Sequence, residues 1–327
     1  MFRWYRHSYY VLDPRVCVLT AGEIERWGAA AAPSLLVHVP RTSGSTLRAI
    51  YATMLRHADL GPSRHYTAAQ LHSCDAEAFG ARPAVAVVRD PWARAVSSWR
   101  HLRRVAANSE HSSDRYFGAW LGRFESFAAF AETGGLAVAA KMCPHFFPAL
   151  DYLIDPRTGA VLVDEIHAFE ALHRRSSPPD SRMANLLRAT HLDVVAAARG
   201  EMPRFTDAAN ATGAPDPTRH CAEYTEAAAR IVGEIYADDA RAFGYAMTCA
   251  AFLPPVARDR AALALRGDDA PVARARKIAA EGILAERRRA SDALKSRAAA
   301  TEAAPPQVVK GAAFRVALAE GGTHVRI

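Results

Sequence analysis

The fold is decided by the stretch Ser34-Leu35-Leu36-Val37-His38-Val39-Pro40-Arg41-Thr42-Ser43-Gly44-Ser45-Thr46-Leu47. Ser34 to Val39 is short, apolar and β-branched, the pattern of a strand buried on both faces. Pro40 stops it, a run of small residues turns the chain, and a helix is expected over Leu47–His57. The plan then repeats. Ala84–Val88 reads as a second buried strand, Asp90-Pro91 ends it, and a helix runs from Trp92 to Val105. Strands alternating with helices predict an α/β layer around a parallel sheet.

Further along, Phe124–Thr133 reads as a helix closed by Gly134-Gly135. Between Leu153 and Val163, two apolar stretches flank Asp155-Pro156-Arg157-Thr158-Gly159, a hairpin-like turn. Ala168–Arg174 and Ser181–Leu187 suggest helices. Thr225–Phe243 is expected to form one long amphipathic helix, with Thr225 as N-cap and Gly244 as its stop. No internal repeat is present.

With 327 residues, 50% hydrophobic and 23% charged, the chain has ample material for a core. No apolar run approaches the roughly 18 residues of a transmembrane helix. Met1–Thr20 intersperses Arg3, Arg6, Asp13 and Arg15 with aromatics, unlike a secretory signal. The five cysteines, Cys17, Cys74, Cys143, Cys221 and Cys249, are scattered without a CxxC spacing. They are read as reduced, mostly buried thiols of a cytoplasmic protein. Of the formal charge of +7, residues 254–327 carry +6, so a basic site in the main body has to be local. The organisation expected is a lead-in over 1–33, a main domain over 34–250, and an Ala/Arg-rich, helical or partly disordered extension over 251–327.

Two segments are suited to anions. In the first, a strand runs through Ser43, Gly44 and Ser45 into a helix. The amides of its first turn and the helix dipole make a phosphate-type site. Ser45 and Thr46 add hydroxyls and Arg41 a fixed charge. The alternative is a plain strand-turn-helix corner. It is not a Walker A loop, because the cation precedes the glycine and no Lys stands before the terminal Ser/Thr. In the second, Arg89 ends a buried strand, where open α/β sheets bind ligands. Ser97 lies two helical turns on and can return over the same crevice. The alternatives are that Arg89 pairs with Asp90 or another carboxylate, and that Ser97 faces a helix contact. Trp92 and Trp99 are read as core.

Taken together, these segments resemble sulfotransferases that use 3′-phosphoadenosine 5′-phosphosulfate (PAPS), in the carbohydrate branch that includes heparan sulfate 2-O- and chondroitin-type enzymes and small bacterial relatives. Pro40-Arg41-Thr42-Ser43-Gly44-Ser45-Thr46 is similar to the family's 5′-phosphosulfate loop. Val88-Arg89-Asp90-Pro91, with Arg94 and Ser97, is similar to its 3′-phosphate segment. His145-Phe146-Phe147-Pro148, Val163-Asp164-Glu165-Ile166 with Phe169-Glu170, and Asp239 with Phe243-Gly244-Tyr245 resemble later family stretches, in order. Arg41 departs from the commoner Lys, Asp90 from the usual Asn, and His167-Ala168 from a glycine-containing step.

The resemblance implies a P-loop-NTPase-like three-layer fold with a central parallel sheet flanked by helices. It implies transfer of a sulfuryl group from PAPS to an acceptor hydroxyl, on a carbohydrate, leaving adenosine 3′,5′-bisphosphate. Arg41, Thr42, Ser43, Gly44, Ser45 and Thr46 would hold the 5′ end, and Arg89 and Ser97 the 3′-phosphate, with no metal. The acceptor needs a base, and a neutral histidine suits neutral pH. His65, just outside a helix announced by the Thr67/Gln70 capping box, is the first candidate. His145 is the rival base or an acceptor contact. His38 is read as structural, His72 has little support, and Glu170 is expected to order a buried network. Asn210 and Thr212 may be compared with a family loop that approaches the nucleotide. No nucleic acid and no membrane span are expected as partners. The competing readings are a P-loop-like nucleotide kinase and a non-catalytic anion-binding protein with a basic tail.

Overall fold

The computed structural model describes residues 34–42, 65–81, 83–109, 111–172, 219–247, 249, 277–286, 289 and 292. The chain divides into two compact units, Met1–Glu286 and Arg287–Ile327. In the second, only Arg289 and Asp292 are described, both helical.

Within the first unit, β1 (Leu35–Val37), β2 (Ala84–Val88) and β3 (Glu165–Ala168) form a parallel sheet in that order. Leu35 pairs with Ala84 and Val37 with Ala86, while Val85 pairs with Glu165 and Val88 with Ala168. All five residues of the central β2 are buried, which is why it reads as a continuous Ala/Val run rather than an alternation. The first two strands stand where the sequence puts them. β3 does not stand out in sequence because Glu165 and His167 interrupt its apolar character. Their side chains lie 3.2 Å apart, Oε2 to Nε2, and both are buried.

Helices cover the sheet. α1 (Ala68–Cys74) and α2 (Ala76–Gly80) lead into β2. The capping box forms as expected, Thr67 Oγ1 accepting from Gln70 N and Gln70 Oε1 from Thr67 N. After β2 comes α3 (Pro91–Val105). Asp90 Oδ1 accepts from the amides of Trp92 and Ala93, and Pro91 occupies a first-turn position where no amide bond is lost. The dipeptide that stops the strand thus also starts the helix. There follow α4 (Ser112–Leu121), α5 (Phe127–Glu132), α6 (Gly135–Met142), a 3-10 turn at Pro144–Phe146 and α7 (Leu150–Leu153). The hairpin-like turn is confirmed by an antiparallel bridge between Ile154 and Val161. α8 (Phe169–Leu172) continues directly from β3.

The expected long C-terminal helix is two helices, α9 (Glu226–Ile235) and α10 (Ala237–Phe243). Thr225 caps the first, and Gly244, at φ 71°, ends the second. The break falls at Tyr236, whose buried hydroxyl donates to Phe146 O at 2.7 Å. Tertiary placement of one side chain overrides the helical pattern here. The helices expected over Leu47–His57 and Ser181–Leu187 lie outside the described residues. Residues 277–286 are helical and bury Ala280 and Leu284 in the core beside β1 and β3. Part of the segment read as a solvated extension therefore belongs to the fold.

A second correction concerns the cysteines. Cys221 and Cys249 form a disulfide, Cys74 is also disulfide-bonded, and Cys143 is a free, buried thiol. A separation of 28 residues hides in sequence a Cα–Cα distance of 5.4 Å. The premise of reduced thiols, on which the cytoplasmic reading rested, does not hold at these positions. No helix among the described residues is long and apolar enough to cross a membrane.

One buried cation joins these parts. Arg94, on α3, is 1% exposed. Its Nη2 donates to Phe147 O at 2.7 Å, its Nη1 reaches His145 O at 3.5 Å, and Asp239 of α10 lies 3.7 Å away. Asp239 accepts the amides of Ala149 and Leu150 at 2.6 and 3.0 Å, capping α7. Arg94→Leu leaves the buried Asp239 carboxylate without its countercharge and the Phe147 carbonyl without its donor. A loss of about 3–5 kcal/mol in unfolding free energy is expected, measured by denaturant titration; an unfolding midpoint equal to wild type would contradict this role.

Candidate functional site

The carboxyl ends of three parallel strands open on one edge, and the chain leaves each with chemistry attached. After β1, Pro40, Arg41 and Thr42 form a tight turn. Thr42 Oγ1 donates to Val39 O at 2.7 Å, and Arg41 adopts φ 69°, the left-handed region that a non-glycine residue rarely enters. Such a conformation costs about 1–3 kcal/mol and persists only where surrounding contacts fix it. Here the contacts come from the second segment. Arg89 Nη1 donates to Arg41 O at 3.2 Å, and Arg41 Nε donates to Ser97 Oγ on α3, also at 3.2 Å.

Two guanidinium groups are thereby brought to one corner. Burial and the neighbouring charges of Arg89 and Arg104 push Arg41 down to about 10, so it remains charged at neutral pH. Among the described residues, no carboxylate forms an ion pair with Arg41. Burial also lowers Arg89, against the opposing pull of Glu170 and Asp90, and its guanidinium lies over the Phe169 ring at 4.4 Å. Among the described residues, the buried Arg89 Nε has no hydrogen-bond partner. The two carboxylates nearby are engaged elsewhere. Asp90 caps α3. Glu170 accepts the Asp90 amide at 2.9 Å and the Tyr245 hydroxyl at 2.7 Å, the buried network anticipated for it. Burial and Asp90 together push Glu170 above the usual carboxylate range. The corner therefore holds excess positive charge and an open donor, which favours an anion.

Beside Arg41 lies a chain of imidazoles. The His38 and His65 ring centroids are 4.5 Å apart, His65 and His145 5.1 Å, and His145 and His101 5.3 Å. His65 and His145 are buried. Burial, then His38, His145 and Arg41, hold His65 well below the ordinary imidazole value. Burial likewise lowers His145, although Asp114 opposes it, and lowers His101 to about 3 with Arg41 contributing. Burial works to raise Asp114, yet hydrogen bonds from His145 and Ser109 prevail and hold it below its usual value. The cluster is thus neutral imidazole beside an ionised carboxylate.

Of the residues expected at the site, Arg41, Thr42, Arg89, Ser97, His65 and His145 are brought into one neighbourhood. Ser43, Gly44, Ser45, Thr46, Asn210 and Thr212 lie outside the described residues. Two placements differ in detail from the sequence expectation. Ser97 meets Arg41 rather than Arg89, and the one hydroxyl proton of Thr42 is committed to the turn. His38 stands immediately after β1, its ring tilted against that of His65. Trp92 and Trp99 are core: Trp92 Nε1 donates to Ala229 O at 2.8 Å, and Trp99 stacks on Phe130 at 5.0 Å. His101, Asp114 and the positioning roles of Arg94 and Ser98 were not anticipated. Ser98 Oγ donates to His145 O at 2.7 Å. The available clue was helical spacing, since Arg94, Ser97, Ser98 and His101 recur at intervals of three and four on α3.

No protein-family model, no curated protein and no solved structure matches this chain.

The electrostatics carry a consequence for acid stability. A histidine held neutral in the folded state binds its proton more readily once unfolded. Stability then falls as pH drops below 6.5, the ordinary value, toward the depressed folded value. His65→Gln removes one such group and should flatten the fall, measured as urea midpoints across that acid range. An unchanged slope would mean that His65 is not held neutral by the fold.

Proposed function

We propose that this chain is a PAPS-dependent sulfotransferase, with a P-loop-like arrangement of its β1 loop, acting on an acceptor hydroxyl of a saccharide. The observation that carries this reading is the meeting of Arg41 and Arg89. Two segments that resemble the 5′- and 3′-phosphate motifs, with Arg41 and Arg89 48 residues apart in sequence, are joined by two hydrogen bonds, Arg89 to Arg41 O and Arg41 to Ser97 Oγ. A nucleotide bearing an anion at each end would supply the charge that Arg41 lacks and the acceptor that Arg89 Nε lacks.

Sulfuryl transfer makes an O–S bond to the acceptor and breaks the S–O bond to the 5′-phosphate. Negative charge grows on the leaving phosphate, so positioned cations and amides dominate the barrier. Arg41 stands to meet that charge, and its bond to Ser97 orients it. Because Asp90 occupies the first amides of α3, the 3′-phosphate would rest on the Arg89 side chain rather than on the helix end. The acceptor proton goes to His65, which is neutral and so able to receive it. Its low proton affinity stems chiefly from burial, then from His38 and His145, with a smaller contribution from Arg41 that a bound polyanion would offset.

Calorimetric titration with adenosine 3′,5′-bisphosphate tests the assignment. Metal-independent binding is expected, weakened about tenfold to a hundredfold by Arg89→Ala, as befits a charge-assisted contact of roughly 1.5–3 kcal/mol. Equal affinity in both proteins, or magnesium-dependent binding of ATP instead, would overturn it. With PAPS and an oligosaccharide acceptor, His65→Ala should lower turnover by about a hundredfold or more while leaving nucleotide affinity near wild type. Unchanged turnover would move the role of base away from His65.

A further inference from the structure

We propose that His101, Asp114 and His145 form a binding site for a zinc-type divalent transition metal, beside the candidate nucleotide site and independent of that functional reading. The three come from different elements: His101 from the last turns of α3, Asp114 from the first turn of α4, and His145 from the 3-10 turn before α7. One ligand atom from each lies within 4.8 Å of the other two. Metal bonds of about 2.0–2.2 Å place tetrahedral ligands roughly 3.3–3.6 Å apart, so inward side-chain adjustments of about an ångström close the set.

The donors are chemically ready. Among the described residues, the buried Nδ1 of His101 has no hydrogen-bond partner. His145, only 6% exposed, directs Nε2 at Asp114 Oδ1 from 3.5 Å. The other carboxylate oxygen of Asp114 accepts from Ser109 Oγ at 3.2 Å, an orienting bond of the kind that supports metal-bound carboxylates. Two imidazoles and one carboxylate suit zinc and its neighbours rather than magnesium or calcium, which favour all-oxygen sets. Three protein ligands also leave a fourth position open to water or another ligand. The cations that work against the site are Arg41, whose charge reaches His101 and His145, Arg104 at His101 and Arg94 at His145; the Asp114 carboxylate opposes them.

The framework holds these donors in place. A Cβ at Gly118 would lie 2.6 Å from Leu102 O and 2.4 Å from Ala106 Cβ. The absence of a side chain there lets α4 approach α3 closely, fixing the separation of Asp114 from His101. His145 is pinned through its carbonyl by Ser98 and Arg94. Ligands tethered on three independently braced elements give up little freedom on binding.

Cobalt(II) titrated into the full-length protein, without reductant so that the Cys221–Cys249 disulfide persists, tests the site. One equivalent of cobalt with visible ligand-field absorption, displaced by zinc, is expected. His101→Ala and Asp114→Asn should each weaken binding by about tenfold or more, with circular dichroism spectra matching wild type. His101→Gln serves if the alanine variant misfolds. His220→Ala, beside the Cys221–Cys249 disulfide in the other grouping of ligand-type side chains among the described residues, should leave cobalt binding unchanged. No stoichiometric binding by wild type, or binding that persists in the folded His101 and Asp114 variants, would overturn the site. Nucleotide affinity measured after chelator treatment reports separately on the sulfotransferase reading.

Discussion

A single guanidinium organises the described half of the sheet's surroundings. Arg94 is charged, almost wholly buried, and placed where α3, α10 and the turn before α7 converge. A lone cation at that depth would be prohibitively costly. It is tolerated because Asp239, two carbonyls and the Tyr236 ring, 5.3 Å from its centre, surround it. The same Asp239 caps α7, and the same Tyr236 hydroxyl reaches Phe146. Removing Arg94 leaves Asp239 without a countercharge and Phe147 O without its donor in a dry environment, so these parts are coupled. Through it, the position of His145 depends on a helix fifty residues away in sequence.

The candidate site has the opposite character. Where Arg94 is enclosed by compensating groups, Arg41 is held in a left-handed turn beside a second guanidinium, with carboxylates nearby already engaged. Strain and uncompensated charge in one place run against the rule by which the rest of the fold is built. Such departures concentrate where a ligand completes the structure. The histidine cluster follows the same logic, since the buried Nδ1 atoms of His65, His101 and His145 find no hydrogen-bond partner among the described residues.

What was legible in the sequence followed from local rules. β2 and its helix were readable because a buried parallel strand is uniformly apolar and Asp90-Pro91 is both stop and cap. Thr67, Thr225 and Gly244 were readable because capping is decided within four residues. β3 was hidden by Glu165 and His167, whose mutual contact permits polar residues inside a sheet. The break at Tyr236 and the Cys221–Cys249 bond were hidden for a related reason: each is settled by a partner far along the chain, and no periodicity encodes it. Arg41 and Arg89 could be nominated as anion ligands from position alone, but their direct contact, and the diversion of Ser97 to Arg41, required the strands to be placed side by side.

His101 and Asp114 show where residue-by-residue reading ends. Asp114 lies in no segment with a recognisable pattern, His101 is marked only by its spacing on the expected helix, and each has an ordinary reading on its own helix. Their significance comes from Gly118, where a missing side chain brings two helices together, and from Ser98 and Arg94, which suspend His145 above them. A packing constraint, a hydrogen bond and a buried ion pair, each structural by itself, thereby converge on one small volume lined with imidazole and carboxylate. The donors face one another because the core is rigid around them. Chemistry at this corner is therefore a property of the packing as much as of the residues that carry it.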